Sequence, residues 1–181
     1  MWLQRQGYEK AEGIDISPQQ TGIAQLLGVR NIHTGDLRLY LKKNRSRYAT
    51  IFLKDILEHF SHDEILEVLT LVNKSLEPGG VCVIQVPNGV SPFVGNILYG
   101  DFTHRTAFSE RSLRQILRWS GLVPVRFFGI EPFVHGPLSF LRLFCWKVIA
   151  ALYSFCLTAE SGPGAHIVTQ NIVVVAQKAD D

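Results

Sequence analysis

Four places in this chain carry residue types and spacings that can do chemistry. Asp15 ends a short apolar run, Ala11-Glu12-Gly13-Ile14-Asp15-Ile16, just before Ser17-Pro18. An ionised carboxylate has two acceptor oxygens. At the carboxyl end of a strand, where open parallel sheets bind ligands, it can take the two hydroxyls of a ribose; equally it can cap the helix that follows. Asp36 repeats the arrangement after Gly35, and can accept from an exocyclic amine or serve turn and cap chemistry. Asp55, Glu58 and His59 follow a third apolar run. On a helix they form an i, i+3, i+4 set sharing one face. Such a face can bind a divalent cation or hold a base near a substrate hydroxyl, or its acids can merely favour a helix N-terminus. His104 lies in a polar island, Asp101-Phe102-Thr103-His104-Arg105, beyond a strand end, a suitable place for a proton-transfer group. The neighbours of His62 give it no role.

Such positions need strands and turns to hold them. Ala11 to Ile16, Val29 to Thr34, Tyr48 to Leu53 and Val81 to Val86 read as strands, the last apolar throughout and suited to a parallel strand covered on both faces. Helices are predicted over Gln19 to Leu27, within the cationic stretch Leu37 to Arg47, from Asp63 to Leu76, and from Ser109 to Ser120 with Ser109 as cap. The cations Arg38, Lys42, Lys43, Arg45 and Arg47 read as a solvated face. Glu77-Pro78-Gly79-Gly80 predicts a tight turn, and Val123 to Phe128 and Asn171 to Gln177 supply two more strands. Strands alternating with helices call for an α/β domain with a mostly parallel sheet. No repeat or linker divides residues 1–181, so one domain is expected.

The chain has 181 residues, 46% of them hydrophobic, with 18 Lys plus Arg against 16 Asp plus Glu. A chain of this kind buries a full core without staples, and disorder is excluded as a description of the whole. A net charge of +2 offers no footprint for a nucleic-acid binder. Cys82, Cys145 and Cys156 form no CxxC pair and read as reduced thiols in a cytoplasmic protein. No basic stretch followed by an apolar run marks a signal peptide at Met1 to Arg5. Pro137 to Ala159 stands apart, being apolar except for Arg142 and Lys147. Its clean run, Val148 to Leu157, is short of the ~20 residues of a span, and a central charge costs about 2.5–3.5 kcal/mol on insertion. In order of preference it reads as a buried or interface helix, a membrane-surface helix, or a span.

Taken together the motifs resemble those of class I S-adenosylmethionine-dependent methyltransferases. The resemblance rests on Gly13-Ile14-Asp15-Ile16-Ser17-Pro18, Gly35-Asp36, Asp55-Ile56-Leu57-Glu58-His59, Leu76-Glu77-Pro78-Gly79-Gly80, Val86-Pro87-Asn88, and His104 followed by Phe108-Ser109 and Ser112-Leu113. They run in family order over roughly residues 10 to 130. The nearest groups are ubiquinone-pathway O-methyltransferases and the methyltransferases of surface-polysaccharide clusters. The resemblance implies a Rossmann-like sheet, mostly parallel with an antiparallel last strand. It implies a cofactor, S-adenosyl-L-methionine, with Asp15 on its ribose, Ile16 beside the adenine, Asp36 on the adenine amine, and Leu37 and Leu53 next to it. An acid-x-x-Glu-His metal set maps onto Asp55, Glu58 and His59 with Mg2+ as the ion. His104 or His59 is then the base for a small-molecule acceptor such as a quinone, lipid or sugar.

One departure is large. The family's first strand and glycine-rich loop should precede Asp15 by about twenty residues, but only fourteen residues stand there, and Gly7 is the sole glycine before Gly13. The expectation is a sheet lacking that strand and loop: a fragment of a methyltransferase domain, with an apolar helical insertion at about 137–159 that contacts a second copy or the inner face of a membrane. The alternative is a degenerate, non-catalytic domain of the same fold that binds a partner or a membrane surface.

Overall fold

The computed structural model describes residues 2–162, 164 and 166–179. In chain order the elements are α1 (Trp2–Arg5), β1 (Gly13–Asp15), α2 (Pro18–Leu26), β2 (Ile32–Thr34), α3 (Leu37–Lys43), β3 (Tyr48–Lys54), a 3-10 turn (Leu57–His59), α4 (His62–Ser75), β4 (Leu76–Pro87), α5 (Val94–Leu98), α6 (Glu110–Trp119), β5 (Leu122–Gly129), α7 (Pro137–Ser161) and β6 (Asn171–Lys178). The strands form two sheets. β1 pairs with β2 in parallel, and four strands run in the order β3-β4-β6-β5. β3 and β4 are parallel, while β6 lies antiparallel to both neighbours. The expected mostly parallel sheet with an antiparallel last strand is therefore present, but divided between β1 and β3.

The two sheets are held side by side at both ends. Below, Glu12 accepts from Tyr40, Arg47 and Tyr48, tying the start of β1 to the start of β3. Above, Arg38 pairs with Asp36 after β2 and with Glu64 and Glu67 on α4. Lys42 also pairs with Glu67, so much of the cationic stretch serves as a clamp. β1, β2, β3 and β4 thus point their carboxyl ends the same way.

Alternation along the strands fixes which face is covered. Cys82, Ile84 and Val86 of β4 and Ala176, Val174 and Ile172 of β6 are cross-strand partners and are buried. Val68, Leu69 and Val72 of α4 and Leu113 and Leu117 of α6 belong to the same core. Each fully buried aliphatic side chain contributes about 1.5–3 kcal/mol. A reciprocal Ser61–Glu64 capping box starts α4, and Gly121, at φ 75°, follows the end of α6 in the left-handed conformation that closes helices. On the other face Phe52 of β3 and Val123 and Phe128 of β5 are exposed.

Several expectations change. β4 starts at Leu76 and absorbs Glu77-Pro78-Gly79-Gly80, because Leu76 already pairs with Tyr48. α7 reaches Ser161, and Ser139 is its only buried residue, so of the reading as a buried or interface helix the buried alternative is overturned. Cys82 is buried, with its thiol pushed up to about 12 by desolvation, whereas Cys145 and Cys156, both on α7, are exposed.

Candidate active site

β3 delivers the chain to the site through a kink. Asp55 has φ 52°, a left-handed conformation that Asp tolerates better than most residues. It turns the backbone into the 3-10 turn, so Asp55, Glu58 and His59 do not share a helical face. The Asp55 carboxylate accepts from Gln85 Nε2 at 2.8 Å and from Lys54 Nζ at 3.0 Å, and so is committed elsewhere. His104 takes its place. Glu58, His59 and His104 bring their polar atoms within 4.8 Å of one another.

Each histidine is fixed by its Nδ1. His104 Nδ1 lies 3.1 Å from the Ile97 carbonyl oxygen. A carbonyl only accepts, so Nδ1 carries the proton and leaves the Nε2 lone pair free. His59 Nδ1 lies 2.9 Å from Thr103 Oγ1, which donates to Asp101 Oδ1 at 2.7 Å; His59 Nδ1 must therefore donate as well. The bonds from Thr103 hold the Asp101 carboxyl below its usual range. The two rings meet edge to face, their centroids 4.7 Å apart.

Glu58 lies beneath them, 1% exposed. Its Oε1 is 3.9 Å from His104 Nε2, and its Oε2 has no hydrogen-bond partner. Burial pushes this carboxyl above the ordinary glutamate range; its own backbone N–H and His104 oppose the rise, while Asp55 and Asp101 add to it. The Arg105 N–H donates to the Glu58 carbonyl at 2.7 Å and clips the loop 101–107 over the turn. Magnesium takes near-octahedral oxygen ligands. Two imidazoles and one carboxyl do not match that preference, so the expected Mg2+ site at Asp55, Glu58 and His59 does not fit this arrangement.

Of the residues expected on the cofactor, Asp15, Ile16, Asp36 and Leu37 lie at the ends of β1 and β2 and Leu53 lies on β3. Asp15 Oδ1 accepts from the Ser17 N–H at 2.8 Å, which leaves Oδ2 open. Ile16 beside it is 76% exposed. An open acceptor next to bare apolar surface fits the adenosyl half of the cofactor. Asp36 is more occupied: it caps α3 through the Arg38 and Leu39 N–H groups and receives the Arg38 guanidinium. The Arg38 hydrogen bond holds its carboxyl below the usual range. Leu37 is half-buried against the core. Leu53, in register with Ile84, is 2% exposed on the core face, so its side chain faces away from any cofactor.

Three contributors escaped sequence reasoning. Thr103 and Asp101 orient His59, and a short polar triplet around a histidine was the available signal. Asn88 is fully buried at the end of β4; its amide donates to the Ile167 and Thr169 carbonyls at 2.7 and 2.8 Å and accepts from the Val90 N–H. It pins the start of β6 to the site. A cleft of about 580 Å3 is lined by Glu12, Arg47 and Tyr48 among others. It opens at the amino ends of β1 and β3, the opposite end from this chemistry, and its central carboxylate is already satisfied.

The parallel β1–β2 and β3–β4 pairs with helices between them and an antiparallel β6 make a Rossmann-like α/β fold. Residues 1–126 match the family described as "Methyltransferase domain", and the chain belongs to it; its reaction class is S-adenosylmethionine-dependent methyl transfer. Solved structures agree in fold. A SAM-dependent methyltransferase of Archaeoglobus fulgidus is 21% identical with a TM-score of 0.69, over 98% of this chain and 80% of that one. The 1,6-didemethyltoxoflavin-N1-methyltransferase of Burkholderia thailandensis, solved with 1,6-didemethyltoxoflavin and S-adenosylhomocysteine, is 17% identical with a TM-score of 0.56, over 92% and 60%. An S-adenosylmethionine-dependent methyltransferase of Mesorhizobium loti is 14% identical with a TM-score of 0.61, over 97% and 85%. No curated protein matches the chain significantly.

Proposed function

We propose that this chain methylates a hydroxyl of a small-molecule acceptor, with His104 as the general base. The observation that carries the reading is the fixed tautomer of His104, whose Nδ1 is held by the Ile97 carbonyl so that Nε2 is available to take a proton. When bound, the sulfonium supplies a methyl group already activated for in-line displacement. The protein's share is to align the acceptor and remove its proton. Asp15 Oδ2 receives a ribose hydroxyl, Ile16 and Leu37 flank the adenine, and Asp36 meets the adenine amine with its remaining lone pair.

The acceptor hydroxyl lies between the Nε2 atoms of His104 and His59. His59, braced by Thr103 and Asp101, orients it. As the oxygen forms its bond to carbon, the proton passes to His104 Nε2. The imidazolium then sits 3.9 Å from Glu58 Oε1, an oxygen whose partial negative charge favours it. Isothermal titration with S-adenosylhomocysteine tests the cofactor half of the reading. Micromolar binding that Asp15→Ala weakens is expected. No heat at millimolar ligand overturns the reading and favours a non-catalytic domain.

A further inference from the structure

We infer that α7 is an in-plane membrane anchor, lying along an anionic bilayer surface with one face in the acyl region. At ~100° per residue, Ser139, Leu143, Trp146, Ala150 and Leu157 stack within roughly 40° of one line. Ser139 is buried and the other four are half-buried, and the half-buried Tyr153, Ser154 and Thr158 flank the stripe. The stripe faces the domain: Trp146, Ala150 and Ser154 share a cleft with Gly129, Glu131 and Thr169, at the end of β5 and the approach to β6.

The opposite line carries Leu141, Phe144, Val148, Leu152, Phe155 and Ala159, again within roughly 40°. All six are exposed, with Leu152 at 66% and Phe155 at 70%. No acid lies between Pro137 and Ala159. The two cations straddle the packed stripe, Lys147 about 80° to one side and Arg142 about 60° to the other. Both therefore sit above the equator of the helix, where long stems reach headgroups while the apolar face sinks. Lys147 is paired with Glu131 at 2.6 Å, and Arg142 makes no ion pair among the described residues. That leaves a guanidinium for lipid phosphate. A helix shaped for a second protein copy has no need of this division between sinking face and flanking cations.

The connections exclude a crossing. Gly129, where the chain leaves β5, pairs with Ile172, just after it re-enters at β6. A helix of 25 residues is about 37 Å long. If it spanned, residues 162–170 would have to recross a core of ~30 Å as bare extended chain, which lipid does not tolerate.

The anchor adjoins the active site. Phe93, just before α5, lies 6.2 Å from Trp146 between ring centroids, and the Ile97 carbonyl of α5 holds His104. Resting on the methyl-transfer reading above, this proximity makes the acceptor an amphiphile presented at the bilayer surface.

Flotation of the full chain with vesicles of phosphatidylcholine and phosphatidylglycerol, without cofactor, tests the anchor apart from the chemistry. Wild type should float. The V148E/L152E double variant, changed only at exposed positions, should bind at least tenfold less while keeping its circular dichroism, and pure phosphatidylcholine vesicles should capture less of the wild type. A wild type that stays at the bottom overturns the proposal. In that case light scattering showing a dimer lost in the variant assigns α7 to self-association, and a monomer assigns it to neither. Equal flotation of variant and wild type also overturns it.

Discussion

Replacing Glu58 by glutamine preserves the shape of the side chain and deletes its charge, and the effect on stability has a sign that the structure dictates. Glu58 is 1% exposed, its Oε2 lacks a partner, and the nearest imidazole nitrogen is at 3.9 Å, beyond hydrogen-bonding distance. The folded chain therefore favours the protonated carboxyl, and burial raises its pKa. The unfolded chain releases the same proton near pH ~4.3. Above that pH the native state holds more protons than the unfolded one, so the unfolding free energy falls as pH rises. The limiting slope for one proton is about 1.4 kcal/mol per pH unit, and the loss ends once pH passes the native pKa. Glu58→Gln removes this slope and leaves every other group in place. Urea titrations of both proteins at pH 4, 5, 6 and 7 read the difference. The two should agree within about 0.5 kcal/mol at pH 4, and the variant should be the more stable at pH 7, melting roughly 2–4 °C higher for each kcal/mol gained. A variant at least 1 kcal/mol less stable than wild type at pH 7 would refute the reasoning. It would mean that Glu58 is ionised in the fold and paired with a protonated His104.

His104→Gln should lower kcat by about 10²–10⁴-fold in a methyl-transfer assay while leaving S-adenosylhomocysteine affinity within twofold; unchanged turnover would transfer the base role to His59. Asp15→Ala removes the open charge-assisted acceptor, worth about 1.5–3 kcal/mol, from an exposed position, so cofactor affinity should fall tenfold or more by calorimetry with little change in melting. Asn88→Ala strands the Thr169 carbonyl and the half-buried Ile167 carbonyl, and chemical denaturation should show a loss of about 2–4 kcal/mol; a loss below 0.5 kcal/mol would show that water replaces the amide.

What was legible in the sequence was whatever depends on local pattern. Alternation and apolar runs place β3, the central part of β4, α4 and α6 within a residue or two, because their burial is periodic along the chain. The same alternation puts Leu53 in step with Ile51 on the core face, which overrides the role that resemblance gave it. The candidate cluster was only half legible. Glu58 and His59 are neighbours, but His104 joins them through the loop that Arg105 clips to the Glu58 carbonyl, a contact with no local signature. Asp55 misled because a helical reading of its spacing ignores the left-handed kink. For α7, composition announces the helix, yet whether an apolar face is covered depends on where its ends are tied.

The division of the sheet between β1 and β3 bears on how the protein behaves in a tube. β3 is an edge strand of seven residues, Tyr48–Lys54, with Phe52 more than half exposed. Its outer row of N–H and C=O groups is a template for pairing with another chain. β1 offers a second open edge, of only three residues. Colloidal fragility should therefore concentrate in Tyr-Ala-Thr-Ile-Phe-Leu-Lys, guarded chiefly by the terminal Lys54. A charge on the solvent-facing side of this strand, Phe52→Lys, should raise the concentration at which the protein stays clear, without touching the core face.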